Sequence, residues 1–360
     1  MTHLQAFQNK LAGKCDAAIV SSPQNQFYLS HFPFSDGYLL VFPDEAYLVT
    51  DFRYAEAAEA KAAKGFTVLS PDRGPTSAIK ELLVKRGVKT LLLEEQAVTL
   101  AEKAHFASAF EGVEFVNGAG VLFRDLRIHK DAAELAAIER AQEITDAAFA
   151  HILDYINPTR TERDVALELE FFMRRNGAEC AAFETIAVSG SASSVPHGTP
   201  RDVMLEKGFL TMDFGARFDG YCSDMTRTVM IGRADEEQKR LYNTVLTAQK
   251  AALAEIGGGM ACSTADKIAR DIIEIDAGYR GCFGHSLGHG VGIDIHEAPG
   301  LSFRAPESSL LEPGHVVTVE PGIYITGKYG CRIEDMVAVN DDGTIRNFTK
   351  SPKELIELCL

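Results

Sequence analysis

The sequence predicts an α+β chain in two domains: a small N-terminal α/β domain over residues 1–128 and a larger second domain over residues 129–360. Three observations carry this. Up to about residue 130, short β-rich runs alternate with helical segments, the pattern of an α/β unit. Beyond it come longer segments of helical periodicity, separated by strands punctuated with glycine and proline. A chain of 360 residues, 46% of them hydrophobic, is also long enough for two cores.

Taken in order, Ala17–Val20, Gly37–Phe42 and Ala46–Thr50 read as strands, Tyr54–Ala63 and Ser77–Arg86 as helices, and Thr90–Leu93 as a further strand. After His129-Lys130, Asp131 is placed to cap a long helix whose Leu135, Ile138, Ala141, Ile144, Ala148, Ile152 and Leu153 follow helical spacing. Thr161 and Asp164 make a capping-box-like start for a second helix that ends near Gly177. Two more helices are expected at about Asp235–Ile256 and Thr264–Ala277. Gly257-Gly258-Gly259 reads as a helix stop rather than a phosphate loop, because no glycine pattern here has the strand–turn–helix setting of nucleotide binding. No internal repeat is evident by inspection.

The chemistry concentrates in the last 150 or so residues. Phe209–Ile231 reads as two strands joined by Asp219-Gly220, a two-residue hairpin signal. That turn sets Asp213 opposite Thr226. Asp224 lies two residues before Thr226 on the same strand, so both carboxylates leave one face, roughly 7–8 Å apart at the backbone. Such spacing suits two ions side by side. His315–Gly322 alternates as a strand and ends with Glu320 before Pro-Gly. Within Cys331–Asp335 a period of two sends Arg332 and Glu334 to the same face, where the guanidinium can orient a ligating carboxylate. His289 sits in GHSLGHGVGIDIHE, which lacks the Glu of helical zinc-protease motifs after His285; Gly288, Gly290 and Gly292 favour an extended or looped segment.

Taken singly, an acidic residue in a strand is more simply a solvated one. The combination of Asp213, Asp224, His289, Glu320 and Glu334 is what points to metal. Four carboxylates converging without cations would repel one another, whereas two divalent ions neutralise them. Predominantly oxygen donors favour Mn²⁺ first, with Co²⁺, Fe²⁺ or Mg²⁺ also suited and Zn²⁺ admitted by availability. Two such ions, about 3.5–4 Å apart, can share a hydroxide, polarise a carbonyl and stabilise an oxyanion.

DFGARFDGYCSDMTRT from Asp213, GHSLGHGVGIDIHE from Gly284, VEPGIY from Val319 and RIED from Arg332 resemble the pita-bread metallopeptidases, in the branch of aminopeptidase P and prolidase. SPQNQFY from Ser22 and the stretch Phe34–Tyr54 extend the resemblance to the N-terminal part. It implies a creatinase/prolidase-type domain over 1–128 and a pita-bread catalytic domain over 129–360. It further implies that Asp213 chelates one ion, that Asp224 and Glu334 bridge both, and that His289 and Glu320 complete the second. His197, in SVPHGTP, would contact substrate and relay protons, His296 would partner it on the opposite wall, and His285 would be a third cleft-lining imidazole. The implied activity is hydrolysis of the Xaa-Pro bond at a peptide N-terminus, aminopeptidase P-like, in a homodimer. Prolidase is the alternative, since these motifs do not separate dipeptides from longer substrates. A non-enzymatic interaction protein on the same scaffold, or a creatinase, is opposed by five intact ligands; a methionyl aminopeptidase is opposed by the N-terminal domain.

Composition excludes other classes. A net charge of −15 and a pI near 5.2 argue against nucleic acid or an anionic membrane as partner. No apolar run approaches the roughly 18–20 residues that span a bilayer. Seven scattered Cys, without metal-type spacing, and an N-terminus without a secretory pattern suit a cytoplasmic protein. The other six His, at positions 3, 31, 105, 129, 151 and 315, read as surface or packing residues.

Overall fold

In the first unit, Met1–Arg127, the predicted strands pair into one mixed sheet. The computed structural model describes residues 1–359. Its elements here are α1 (His3–Leu11), β1 (Ala17–Val20), α2 (Pro23–Ser30), β2 (Gly37–Val41), β3 (Ala46–Thr50) and α3 (Phe52–Lys61). They continue with β4 (Phe66–Leu69), α4 (Pro75–Arg86), β5 (Thr90–Leu93), α5 (Leu100–Ala109), β6 (Glu114–Val116) and α6 (Ala119–Arg127). The order is β4-β3-β2-β1-β5-β6, with β1, β2 and β3 antiparallel and the outer pairs parallel. The central β1 is buried on both faces, so it reads as a continuous apolar run. The edges β4 and β6 are not predicted from sequence, because they are short and half-exposed and carry little periodicity.

The second unit begins at Ile128. Asp131 caps α7 (Ala132–Tyr155), with Glu134 bonding back to the cap, and Thr161 with Asp164 forms the box that starts α8 (Glu162–Arg175). Strands β7 (Cys180–Ala181), β8 (Ile186–Ser189), β9 (Gly208–Phe214), β10 (Ala216–Phe218), β11 (Tyr221–Cys222) and β12 (Met225–Ile231) follow. Next come α9 (Glu236–Glu255) and α10 (Cys262–Arg270). The chain continues through β13 (Gly288–Gly290), β14 (Glu297–Leu301), β15 (Val316–Val319), β16 (Gly322–Ile325) and β17 (Tyr329–Arg332). It closes with β18 (Asp335–Val339), β19 (Ile345–Asn347) and β20 (Glu357–Leu358).

Two helix pairs back two sheets. α7 and α8 pack through Ala141, Ile144, Val165 and Leu169 on the sheet β20-β12-β9-β8, which supplies Met212 and Val229. α9 and α10 pack through Leu241, Val245, Ala265 and Ala269 on the sheet β14-β13-β15-β18-β19, which supplies Val317 and Val337. These halves are a structural repeat. The first helix of each pair ends at 155 or 255 and the second begins at 162 or 262, an offset of 100 residues in both cases. No residue of 162–175 matches its counterpart in 262–275, yet 162, 165, 166, 169 and 173 are buried in one and 262, 265, 266, 269 and 273 in the other. The repeat is written in burial rather than identity, so it escapes inspection of the letters.

The hairpin has the register that Asp219-Gly220 predicts. Both turn residues have positive φ, 47° and 77°, and Phe218 faces Tyr221 while Asp213 faces Thr226. Its ladder is interrupted, however. Ser223 Oγ accepts the Ala216 N–H, and a Cβ on Gly215 would lie 1.9 Å from Ser223 O. Asp224 therefore falls in the break before β12 rather than within a continuous strand. A second correction concerns the helix expected over Thr264–Ala277. It is α10 followed by a π-helical turn over Asp271–Asp276, where Ala277 N–H reaches Ile272 O five residues back. One widened turn is invisible to a 3.6-residue period. No described helix is long and apolar enough to cross a membrane, and the seven cysteines are free thiols.

Candidate metal centre and active site

A cleft of about 920 Å³ in the second unit is lined by Asp213, Asp224, His289, Glu320 and Glu334, by Arg332, and by His197, His285 and His296. Asp213 projects from the end of β9 and Asp224 from the hairpin break, both in the first half. His289 lies on β13, Glu320 follows β15, and Glu334 links β17 to β18, all in the second half. Glu334 N–H donates to Thr226 O (3.1 Å), joining the two sheets at this point.

His289 is oriented as a ligand should be. Its Nδ1–H donates to Gly290 O (3.1 Å), which leaves the Nε2 lone pair 3.4 Å from both Asp224 Oδ2 and Glu320 Oε1. Burial, with His296 beside it, pushes its pKa down to about 4, so the ring is neutral at physiological pH. The carboxylates are strained in the opposite sense. Burial first, then Glu334, Asp213 and Glu320, holds Asp224 well above the usual carboxylate range. Burial, then Glu320 and Asp213, does the same to Glu334. Burial pushes Glu320 up to about 8 although Arg332 opposes it. Asp213 Oδ1 and Glu334 Oε1 are buried without a hydrogen-bond partner, a state that costs about 1–3 kcal/mol each unless something takes their lone pairs. One ligand atom each of Asp224, His289 and Glu334 lie within 4.8 Å of one another. Crowded carboxylates, orphaned oxygens and a neutral imidazole fit divalent cations.

Around them sits a layer of orienting groups. Arg332 Nη2 donates to Asp213 Oδ2 (2.7 Å), Nε to Thr226 Oγ1 (2.9 Å) and Nη1 to Tyr324 Oη (2.7 Å). Thr226 Oγ1 in turn donates to Glu334 Oε2 (2.7 Å), and Thr318 Oγ1 to Glu320 Oε1 (3.2 Å). His285 is enclosed: Nδ1–H donates to Ser286 O (2.8 Å), and Tyr324 O–H reaches Nε2 (3.1 Å). Burial, then Arg332, pushes its pKa down to about 4. With both nitrogens occupied, His285 is fixed as a neutral part of the wall. His296 stands edge-on to His289, ring centroids 4.2 Å apart. His197 sits inside a turn closed by Gly198 N–H to Val195 O (3.1 Å), with Pro196 supplying the fixed φ that such turns favour.

Residues 136–341 match the model of metallopeptidase family M24, and residues 3–129 match that of the creatinase/prolidase N-terminal domain. The chain belongs to metallopeptidase family M24. It is 41% identical to the peptidase YqhT of Bacillus subtilis strain 168, over 95% of this chain and 96% of the relative. Among solved structures it resembles an Xaa-Pro dipeptidase from Bacillus anthracis, with TM-score 0.94 and 38% identity over 99% of each chain. An X-Pro aminopeptidase from Thermotoga maritima MSB8 matches with TM-score 0.91 and 35% identity, over 98% of this chain and 99% of that one. The two-domain α+β, pita-bread architecture is that of the M24 relatives, and the protein is a metal-dependent peptidase.

Several groups around this M24 site are not singled out by the sequence. Thr226 and Tyr324 lie inside the motif strings SDMTRT and VEPGIY but carry no signal of their own there. The buried carboxylates Glu162 and Asp266, each paired with an arginine, sit on helix starts and faces that read as ordinary. His129, exposed, and His315, buried, are the surface and packing residues expected, yet they do not stand apart. They converge with Glu312, one ligand atom of each within 4.8 Å of the others. His315 Nδ1 accepts the Glu312 N–H (3.1 Å), so its proton is on Nε2 and the ring offers no second lone pair.

Proposed function

We propose that this M24 enzyme releases the N-terminal residue from peptides with proline in second position, as an aminopeptidase P, with prolidase activity on Xaa-Pro dipeptides as the alternative. The observation that carries the reading is the convergence of four carboxylates, two of them with an orphaned buried oxygen, and one neutral imidazole, within a cleft shared with His197 and His296. Asp213, Asp224, His289, Glu320 and Glu334 would hold two divalent ions, Mn²⁺ first among Co²⁺, Fe²⁺ and Zn²⁺. When bound, such ions supply an acidified water and a Lewis acid for the scissile carbonyl.

The chain's own groups do the rest. Arg332 fixes Asp213, and Thr226 fixes Glu334, so the carboxylates keep their directions as substrate enters. His197 or His296 carries the proton that the leaving nitrogen gains as its bond to the carbonyl carbon breaks. The bond before proline has no N–H, and none is needed when the carbonyl is polarised by cations and the nitrogen is protonated by an imidazole. The cleft, about 920 Å³, falls within the roughly 300–1,000 Å³ usual for small-molecule sites. Cytoplasmic location and a homodimer are carried over as part of the same reading.

Assays on Mn²⁺-reconstituted protein decide it. Arg-Pro-Pro should be cleaved faster than Arg-Ala-Pro. Strong preference for Xaa-Pro dipeptides over tripeptides makes the enzyme a prolidase, and release of the first residue regardless of the second defeats the proline-specific reading.

A further inference from the structure

Each half of the second unit carries a buried carboxylate, on α8 or α10, that grips an arginine and the backbone of a cleft loop. In the second half Asp266 accepts from Arg270 Nε (2.7 Å) and Leu287 N–H (3.0 Å), while Arg270 donates to Phe283 O (2.9 Å) and His285 O (2.8 Å). In the first half the grip is tighter. Glu162, fully buried, accepts through Oε1 from Ser189 N–H (2.7 Å), Ser189 O–H (2.8 Å) and Arg201 Nη2 (2.6 Å). Through Oε2 it accepts from Arg201 N–H (2.9 Å) and Arg201 Nε (2.9 Å).

Ser189 and Arg201 are the two feet of the segment that carries His197. Between them the chain makes a short 3₁₀ turn over Gly190–Ser194 and then the Val195–Gly198 turn that holds His197. The closure is double, since Arg201 Nη2 also reaches Ser189 O (3.3 Å). Far from the feet, the segment meets the metal-site layer where Arg332 Nη1 donates to Pro196 O (3.3 Å). A loop is soft unless tied down, and a proton-transfer group must be held in place to contribute. One carboxylate spending five hydrogen bonds on two chain positions 12 residues apart is such a tie.

We propose that Glu162 and Arg201 are positioning residues for His197: their clamp sets where the imidazole stands in the cleft, and touches neither substrate nor metal. The role rests on the proton-transfer reading of His197. Both oxygens of Glu162 are committed to donors, so Glu162→Gln must turn an NH₂ against at least one of them, while its shape is preserved.

The test is a double-mutant cycle on the full-length, Mn²⁺-loaded enzyme, with Arg201→Ala, Arg201→Lys, His197→Ala and the Arg201→Ala/His197→Ala pair. Arg201→Ala should keep its full metal content and lower kcat by about 10–100-fold, with KM changing much less, the usual scale for an orienting partner. Arg201→Lys should recover part of that loss. In the His197→Ala background the Arg201 substitution should cost less than about twofold, because the group it positions is gone. If Arg201→Ala does not fold, Glu162→Gln carries the same cycle. A slow His197→Ala enzyme in which the Arg201 loss is undiminished overturns the clamp alone. Wild-type turnover by His197→Ala overturns the reading of His197 and the clamp's role with it.

Discussion

At the scale of single residues, burial moves Asp224, Glu320, Glu334, His285 and His289 away from their ordinary protonation, toward the neutral form. Glu320, pushed up to about 8 by burial, holds a proton in the metal-free fold that it would have lost in the unfolded chain. Between the ordinary carboxylate range and pH 8 the folded state therefore binds more protons than the unfolded one, so this group's contribution to apo-protein stability falls as pH rises through that window. Cations reverse the preference by favouring the ionised form. Mn²⁺ affinity should then increase with pH between about 6 and 8, with proton release visible by calorimetry in two buffers of different ionisation enthalpy. Affinity independent of pH would show that the carboxylates are already ionised before metal arrives. Substitution separates the roles further. Glu334→Ala or Asp224→Ala should lose metal and activity together, whereas His197→Ala should retain metal and turn over about 10²–10⁴-fold more slowly. Metal loss in the His197 variant, measured by elemental analysis, would move that residue into the ligand set.

At the scale of elements, the precision of the site depends on close backbone approach. A Cβ on Gly288 would lie 2.0 Å from Thr318 O, so β13 can press against β15 only with glycine there. The next residue, His289, donates its own N–H to Thr318 Oγ1 (3.1 Å). Gly288→Ala should therefore destabilise the fold by about 1–3 kcal/mol and weaken metal binding as His289 is displaced. Gly284→Ala, where the added methyl meets nothing within 4 Å, is the matched control and should leave both unchanged in urea unfolding and metal titration. Much at this scale was legible in the letters. Ala17–Val20 and Ala46–Thr50 are strands at the bounds their apolar runs suggest, and Asp219-Gly220 sets the hairpin register residue for residue. What stayed hidden depends on contacts between distant segments. The break that frees Asp224 is made by Ser223 Oγ taking a backbone N–H, and the Glu162 clamp joins residues that no local window contains. The candidate ligands could be picked out because cation chemistry restricts residue types; their orienting partners could not, because hydroxyls and arginines serve everywhere.

At the scale of the molecule, the second unit is a helix pair on a sheet, made twice, with the candidate metal ligands drawn from both copies. Asp213 and Asp224 come from one half and His289, Glu320 and Glu334 from the other, so cations would tie the halves together. Whether the fold needs that tie is decided by the cores. Each half buries its own cluster, including Leu169, Met212 and Phe214 in one and Leu241, Val317 and Val337 in the other. A further tie crosses between the sheets without metal: Arg227, almost fully buried, ion-pairs with Asp335 (2.8 Å), which also holds Lys353 (2.6 Å). Metal removal should accordingly cost only the linkage term, about 3–4 kcal/mol when free ion stands at 100–1,000 times its dissociation constant. Chelation should abolish turnover and lower the unfolding midpoint while leaving the far-UV circular dichroism at room temperature unchanged, and Mn²⁺ should restore activity without a refolding lag. Collapse of the circular dichroism signal on chelation would mean that the two halves are held by cations rather than by their own cores.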